Sequence, residues 1–154
     1  MFIIAGFLFF IGLMALAGGI VGGHLIVFID LGSLLLLVVP ILFYFFISKS
    51  GKIILEYVKA SFKRHHAYEK AELENISAAM KSTVKATLAT GFLIFLIGLI
   101  SDFASAPSAE IIFISLAMNL IAPLYAIGIS LFMFFPTQIW AENRLNTQNY
   151  LSTN

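Results

Sequence analysis

FIIAGFLFFIGLMALAGGIV, the stretch Phe2–Val21, holds no charged side chain anywhere along its length. A helix needs about 20 apolar residues to cross the ~30 Å of hydrocarbon in a bilayer. Lipid offers no hydrogen bonds, so a spanning segment must satisfy its own backbone as a helix or join a closed barrel. No repeated alternating strand pattern points to a barrel, and the stretch therefore predicts a transmembrane helix. Three more runs read the same way. Residues 25–48 carry one acid, Asp30, near their start. The third run covers about 84–103, with its apolar heart at Val84–Ile100. The fourth covers about 109–136, most apolar over Ile111–Pro136. The prediction is an all-α polytopic membrane protein, with four transmembrane helices in two hairpins and short cytoplasmic helical extensions.

Composition agrees. The chain has 154 residues, 60% hydrophobic and 11% charged, with mean hydropathy +1.00. A water-soluble domain of this size needs a more highly charged surface, so lipid is the expected solvent. The 16 Phe suit a lipid-facing surface. The absence of cysteine excludes disulfides, thiolate metal sites and cysteine nucleophiles. A net charge of +1 gives no reason to expect nucleic acid. Ala15-Leu16-Ala17 has the small-residue form of a signal-peptidase site, but no basic region precedes the apolar run, so a retained helix is expected.

The basic residues orient the chain. Lys49, Lys52, Lys59, Lys63, Arg64, Lys70, Lys81 and Lys85 all lie between the second and third runs, and Arg144 follows the fourth. The connections at about 22–25 and 101–110 contain no Lys or Arg, and the second carries Asp102 and Glu110. By the positive-inside rule the middle segment and both termini are cytoplasmic.

Between the spans, Gly22, Gly23 and His24 are expected to turn the first hairpin, and Ala106-Pro107-Ser108 the second, with Ser108 as N-cap of the fourth span. Segment 49–83 is rich in Lys, Glu and Ala. Its apolar positions Ile54, Tyr57, Val58 and Phe62, then Leu73, Ile76, Ala79 and Met80, recur at helical spacing. This predicts two amphipathic helices that prolong spans two and three, joined near Arg64-His65-His66. Residues 137–154 read as a short polar tail. Trp140 and Tyr44 or Tyr57 fit interfacial anchoring.

No ionisable residue lies near the middle of any span. Lone acids there would be costly and therefore functional suspects, so a conducting pathway through this chain requires a partner. The fourth span has a small and polar stripe: Ser115, Asn119, Ala122, Pro123, Ala126 and Ser130, with Tyr125 nearby. The third has Thr83, Thr87, Thr90, Gly98 and Ser101. Two readings stand. The stripes line a lumen and face a partner helix, or they let helices pack closely and bond across. Asn119 is the foremost candidate, because an amide in lipid needs a partner. Pro123 removes one backbone donor and frees the Asn119 carbonyl, for packing or for an ion. Asp30 either caps the second span with Ser33 or lines an ion path. His65-His66, with His24 across the membrane, has no metal-ligand spacing. No nucleophile, base and orienting group converge, so no enzyme activity is expected. No cofactor is implied.

The segment Gly22-Gly23-His24-Leu25-Ile26-Val27-Phe28-Ile29-Asp30-Leu31-Gly32-Ser33, followed by the aliphatic run to Val39, resembles the connection between the first two spans of flagellar stator A subunits. Those are members of the MotA/TolQ/ExbB superfamily. Leu96-Ile97-Gly98-Leu99-Ile100 is similar to the third span of that family. Leu124-Tyr125, with Phe134-Phe135-Pro136, is similar to its fourth, where Pro136 closes the cytoplasmic end. The resemblance implies a homopentamer around single-span, MotB-like partner helices that carry an intramembrane Asp, with ion flow, most simply of protons, driving mechanical work. The chain departs from that pattern in three places. Its middle segment is far shorter than the family's rotor-contacting domain, Leu88 replaces a Pro, and Phe95, Ala122 and Pro123 stand at pore-lining Thr positions. A non-conducting scaffold or accessory protein of the same architecture is the alternative.

Overall fold

The computed structural model describes residues 2–20, 30–48, 50–61, 68–105 and 108–153. The expected turn at Gly22 and Gly23, the joint at residues 64–66 and the residues Ala106 and Pro107 lie outside them. Among the described residues seven α-helices follow one another: α1 (Phe2–Ile20), α2 (Leu31–Ser48), α3 (Ser50–Ser61), α4 (Lys70–Ser105), α5 (Ala109–Asn119), α6 (Ile121–Ile129) and α7 (Phe135–Thr153). A π-helical turn, Ser130–Phe134, joins α6 to α7. Among the described residues there is no strand.

Among the described residues, two helices are long and apolar enough to cross a membrane: α4, and the nearly continuous run Glu110–Leu151 through α5, α6 and α7. At 1.5 Å per residue, the 36 residues of α4 extend about 54 Å, so its polar first part projects well beyond a ~30 Å apolar layer. Its start is capped locally: the Glu72 carboxylate accepts the Glu69 backbone N–H at 2.9 Å. This is the reach-back half of a capping box, and it also sets a negative charge at the positive end of the helix. In α1 the shorter apolar helix Ile3–Leu16 is described, and α2 and α3 together have the length and apolarity of a span that is sharply bent.

Contacts fix the helix directions. Gly98 lies against Asn119, Gly91 against Ala122 and Ala126, and the Ser77 hydroxyl donates to Glu142 at 3.0 Å. Residue numbers rise on one helix as they fall on the other, so α4 runs antiparallel to α5–α7. Gly6 meets the Phe132 backbone and Gly128 meets the Phe10 ring, which makes α1 antiparallel to α6 and the π-turn. Asp30 sits at Tyr125 and the Phe45 ring stands edge-on to Phe134 at 6.4 Å, so α2 runs parallel to α6. The up-down-up-down order follows from these pairs.

Two apolar cores result. One gathers Phe10, Leu37, Ile41, Ile121, Tyr125 and Ala126 from α1, α2 and α6. The other gathers Tyr57, Leu73, Ile76, Met80, Phe134 and Ala141 where α3, α4 and α7 meet. In the second core Leu73 and Met80 are fully buried, each worth about 1.5–3 kcal/mol relative to exposure in water.

Four features differ from the sequence expectations or refine them. Residues 137–153, read as a polar tail, are helical. Thr137, Ala141 and Leu145 recur every four residues, and the first two are completely buried, so a stripe of small and apolar residues ties this helix to α4 despite its polar composition. The first amphipathic helix does not prolong span two, because α3 leaves the axis of α2 at 96°. A change of axis preserves the apolar periodicity on which the expectation rested. Ser108 does precede α5 as its N-cap residue, but its side chain makes no capping bond; its carbonyl accepts the Ile112 N–H at 3.2 Å. Trp140 is no isolated anchor: Tyr57 and Tyr68 pack around it with ring centroids 5.6 and 5.2 Å away, and Arg144 lies over its face at 5.5 Å.

Candidate functional site

The polar residues of the apolar helices form three groups rather than one site. The first lies at the start of α2. Asp30 accepts the Gly32 backbone N–H at 3.0 Å and the Ser33 hydroxyl at 2.5 Å. The carboxylate thus caps α2, taking up donors that have no partner within the helix. The Asp30 backbone N–H in turn donates to the Tyr125 hydroxyl at 3.1 Å. Tyr125 is buried, so this bond fastens the start of α2 to α6.

The second group links α4 to α5. Ser115 Oγ and Asn119 Nδ2 donate to opposite oxygens of Asp102, each at 2.5 Å. Gly98 makes the approach possible, since a Cβ there would overlap the Asn119 amide. The amide in the apolar stripe therefore finds its partner within the chain, in an acid one turn beyond Gly98. Asp102 was visible in the sequence only as an acid near a connection. Its pairing depends on the α4–α5 register, which spacings of 13 and 17 residues across a turn do not reveal.

The third group is Thr87 and Ser130. Both are buried, and among the described residues Thr87 Oγ1 and Ser130 Oγ have no hydrogen-bond partner. They are level with each other. Thr87 lies four residues before Gly91 on α4, and Ser130 four residues after Ala126, the residue that Gly91 touches.

The two small-residue stripes meet each other along α4 and α5–α6, at Gly98–Asn119 and Gly91–Ala122/Ala126. They form a close seam inside the chain, of the kind small residues permit in apolar surroundings. Pro123 and Thr90 are half-buried beside this seam. Pro123 cannot donate to the Asn119 carbonyl, and the helix breaks at Leu120, between α5 and α6. Pro136 is the second residue of α7, just past the π-turn, where a missing N–H costs little. Gly22 and Gly23 are outside the described residues. At the other end of α4, Glu142 accepts from Gln138 and Ser77, both at 3.0 Å. These bonds, the one from Gln138 foremost, hold its carboxyl below the ordinary glutamate range, with Lys81 adding attraction. Among the described residues no group of three His, Cys, Asp or Glu is placed to hold a metal ion.

No family model, curated protein or solved structure matches the chain.

Proposed function

We propose that the chain is a four-span, ring-forming membrane subunit of the stator type. In this reading five copies surround a single-span partner that carries an intramembrane Asp, and ion flow, most simply of protons, is coupled to mechanical work. The basic end, holding α3 and the first part of α4, lies in the cytoplasm with both termini, in a bacterial inner membrane. The observation that carries the reading is how little of its longest apolar helices the chain covers itself. Only 17% of the most apolar stretch of α4 is buried within the chain, and 28% of that in the last helix run. Phe92, Leu93, Ile97 and Ile100 face outward from α4, leaving a broad surface for neighbouring copies and a central helix. The alternating helix directions and the resemblance at residues 22–39 support the same arrangement.

A second reading, a non-conducting scaffold of the same architecture, has its own observation. The foremost ion-pathway candidate, Asn119, is engaged with Asp102, and Ala122 is buried against Gly91. Proton uptake by vesicles containing the chain, with and without its co-purified single-span partner, separates the two. Uptake that needs the partner and is lost when the partner's membrane Asp becomes Asn supports the motor. A five-fold ring with partner and no uptake supports the scaffold.

A further inference from the structure

Four other hydroxyls on these helices turn back to the carbonyl four residues earlier. Thr83 donates to the Ala79 carbonyl at 2.8 Å, Ser105 to Ser101 at 2.7 Å, Thr137 to Met133 at 3.1 Å and Thr147 to Asn143 at 3.0 Å. This i−4 bond is the ordinary way for Ser and Thr to satisfy themselves in a helix where water is excluded. Thr87 and Ser130 do not use it, although both are buried and their oxygens have no partner among the described residues. Nor do they bond each other, although the Gly91–Ala126 contact sets them level on facing helices. An unmatched buried hydroxyl costs about 1–3 kcal/mol, and two at one level call for a shared partner.

Ser130 also opens the π-turn, in which the Phe135 N–H reaches back five residues to the Ser130 carbonyl. Such turns widen the helix, displace carbonyls from the regular i−4 ladder and recur at functional positions. We propose that Thr87 and Ser130 hold one internal water molecule between α4 and the π-turn, bridging the two hydroxyls, with its remaining hydrogen directed to a π-turn carbonyl. Three partners of this kind match the hydrogen-bonding of a buried structural water. Counted along the helices from Val84 and Pro136, the site lies about 5–9 Å inside the basic end of the apolar band. It stands apart from the Asp102 group, and it does not depend on ring formation.

The test uses the full chain in nanodiscs. Thr87→Val keeps the side-chain shape and removes the hydroxyl, and Ser130→Ala removes the other. Each is expected to lower the apparent Tm by about 2–4 °C. The double variant is expected to lose no more than the worse single, because either change destroys the same bridge, while Thr87→Ser stays at the wild-type value. An unchanged or raised Tm in Thr87→Val, as removal of a lone unsatisfied hydroxyl would give, overturns the proposal, and so do additive losses in the double variant. If Thr87→Val fails to accumulate in membranes, a water-resolving map of the wild type decides. Density at ~2.5–3.0 Å from both oxygens supports the site. Two back-bonded hydroxyls with nothing between them overturn it.

Discussion

At the basic end of the molecule, α3, α4 and α7 close over Tyr57, Leu73, Ile76, Met80 and Ala141, and charged side chains such as Lys52 and Glu74 stay outside. At the acidic end, α4 and α5 hold each other through Asp102, Ser115 and Asn119, while Phe103 and Phe113 remain about 70% exposed. The first arrangement suits water, because apolar burial is what drives association there. The second suits lipid, where apolar surface gains little by hiding, and close packing with hydrogen bonds holds helices together. One continuous helix, α4, passes through both regimes. The contrast teaches that exposed apolar surface at one end and buried apolar surface at the other follow from one rule applied in two solvents.

The contrast can be broken most severely at the seam between the two ends. A Cβ at Gly91 meets Ala126 and the backbone of Ala122 and Pro123. Gly91→Leu should therefore cost about 3 kcal/mol or more and largely abolish the folded chain, read as loss of a monodisperse peak in detergent. Gly12, whose Cβ would meet nothing within 4 Å, is the control: Gly12→Ala should stabilise α1 by about 0.5–1 kcal/mol. Equal damage at both positions would contradict the seam.

A smaller effect sharpens the two-solvent picture. Met80→Ala empties a fully buried site in the basic-end core and should cost about 2 kcal/mol or somewhat more by denaturant titration. Phe103→Ala removes a side chain that is 69% exposed and should stay within ~0.5 kcal/mol. A reversed order would show that the acidic end is not bathed in lipid as described.

The smallest effect is the pH dependence of the α4–α7 contact. Folding holds the Glu142 carboxyl below its ordinary range through Gln138 and Ser77. Its contribution is thus complete above the unfolded value of about 4.3, and it is lost as pH falls through the lower, folded value. Wild type should lose a little more stability than Glu142→Gln between pH 5 and pH 3 (roughly the window set by these values). Parallel pH profiles would remove Glu142 from the account.

Much of this was legible before any coordinates. Uncharged runs demanded helices, and the repeat of Leu73, Ile76 and Met80 marked the buried face of the first part of α4. Asp30 and Ser33, three residues apart, were close enough in sequence for a local cap to be foreseen as one of two readings. What stayed hidden depends on relations between helices. The Asp102–Asn119 bond follows from register across a turn. The 96° change between α2 and α3 leaves periodicity untouched. The helical course of 137–153 is carried by Thr137, Ala141 and Leu145, which polar neighbours obscure. The π-turn at Ser130 has no residue signature at all, and with it the level placement of Thr87 and Ser130 was invisible.

The central claim is that part of the apolar surface this chain leaves open is covered by further copies of itself. Native mass spectrometry of the intact chain, extracted into nanodiscs with its membrane partners, counts those copies directly. The account predicts five. A monomer or dimer that persists across several lipid compositions would contradict it, and would leave lipid alone as the cover for α4 and α5.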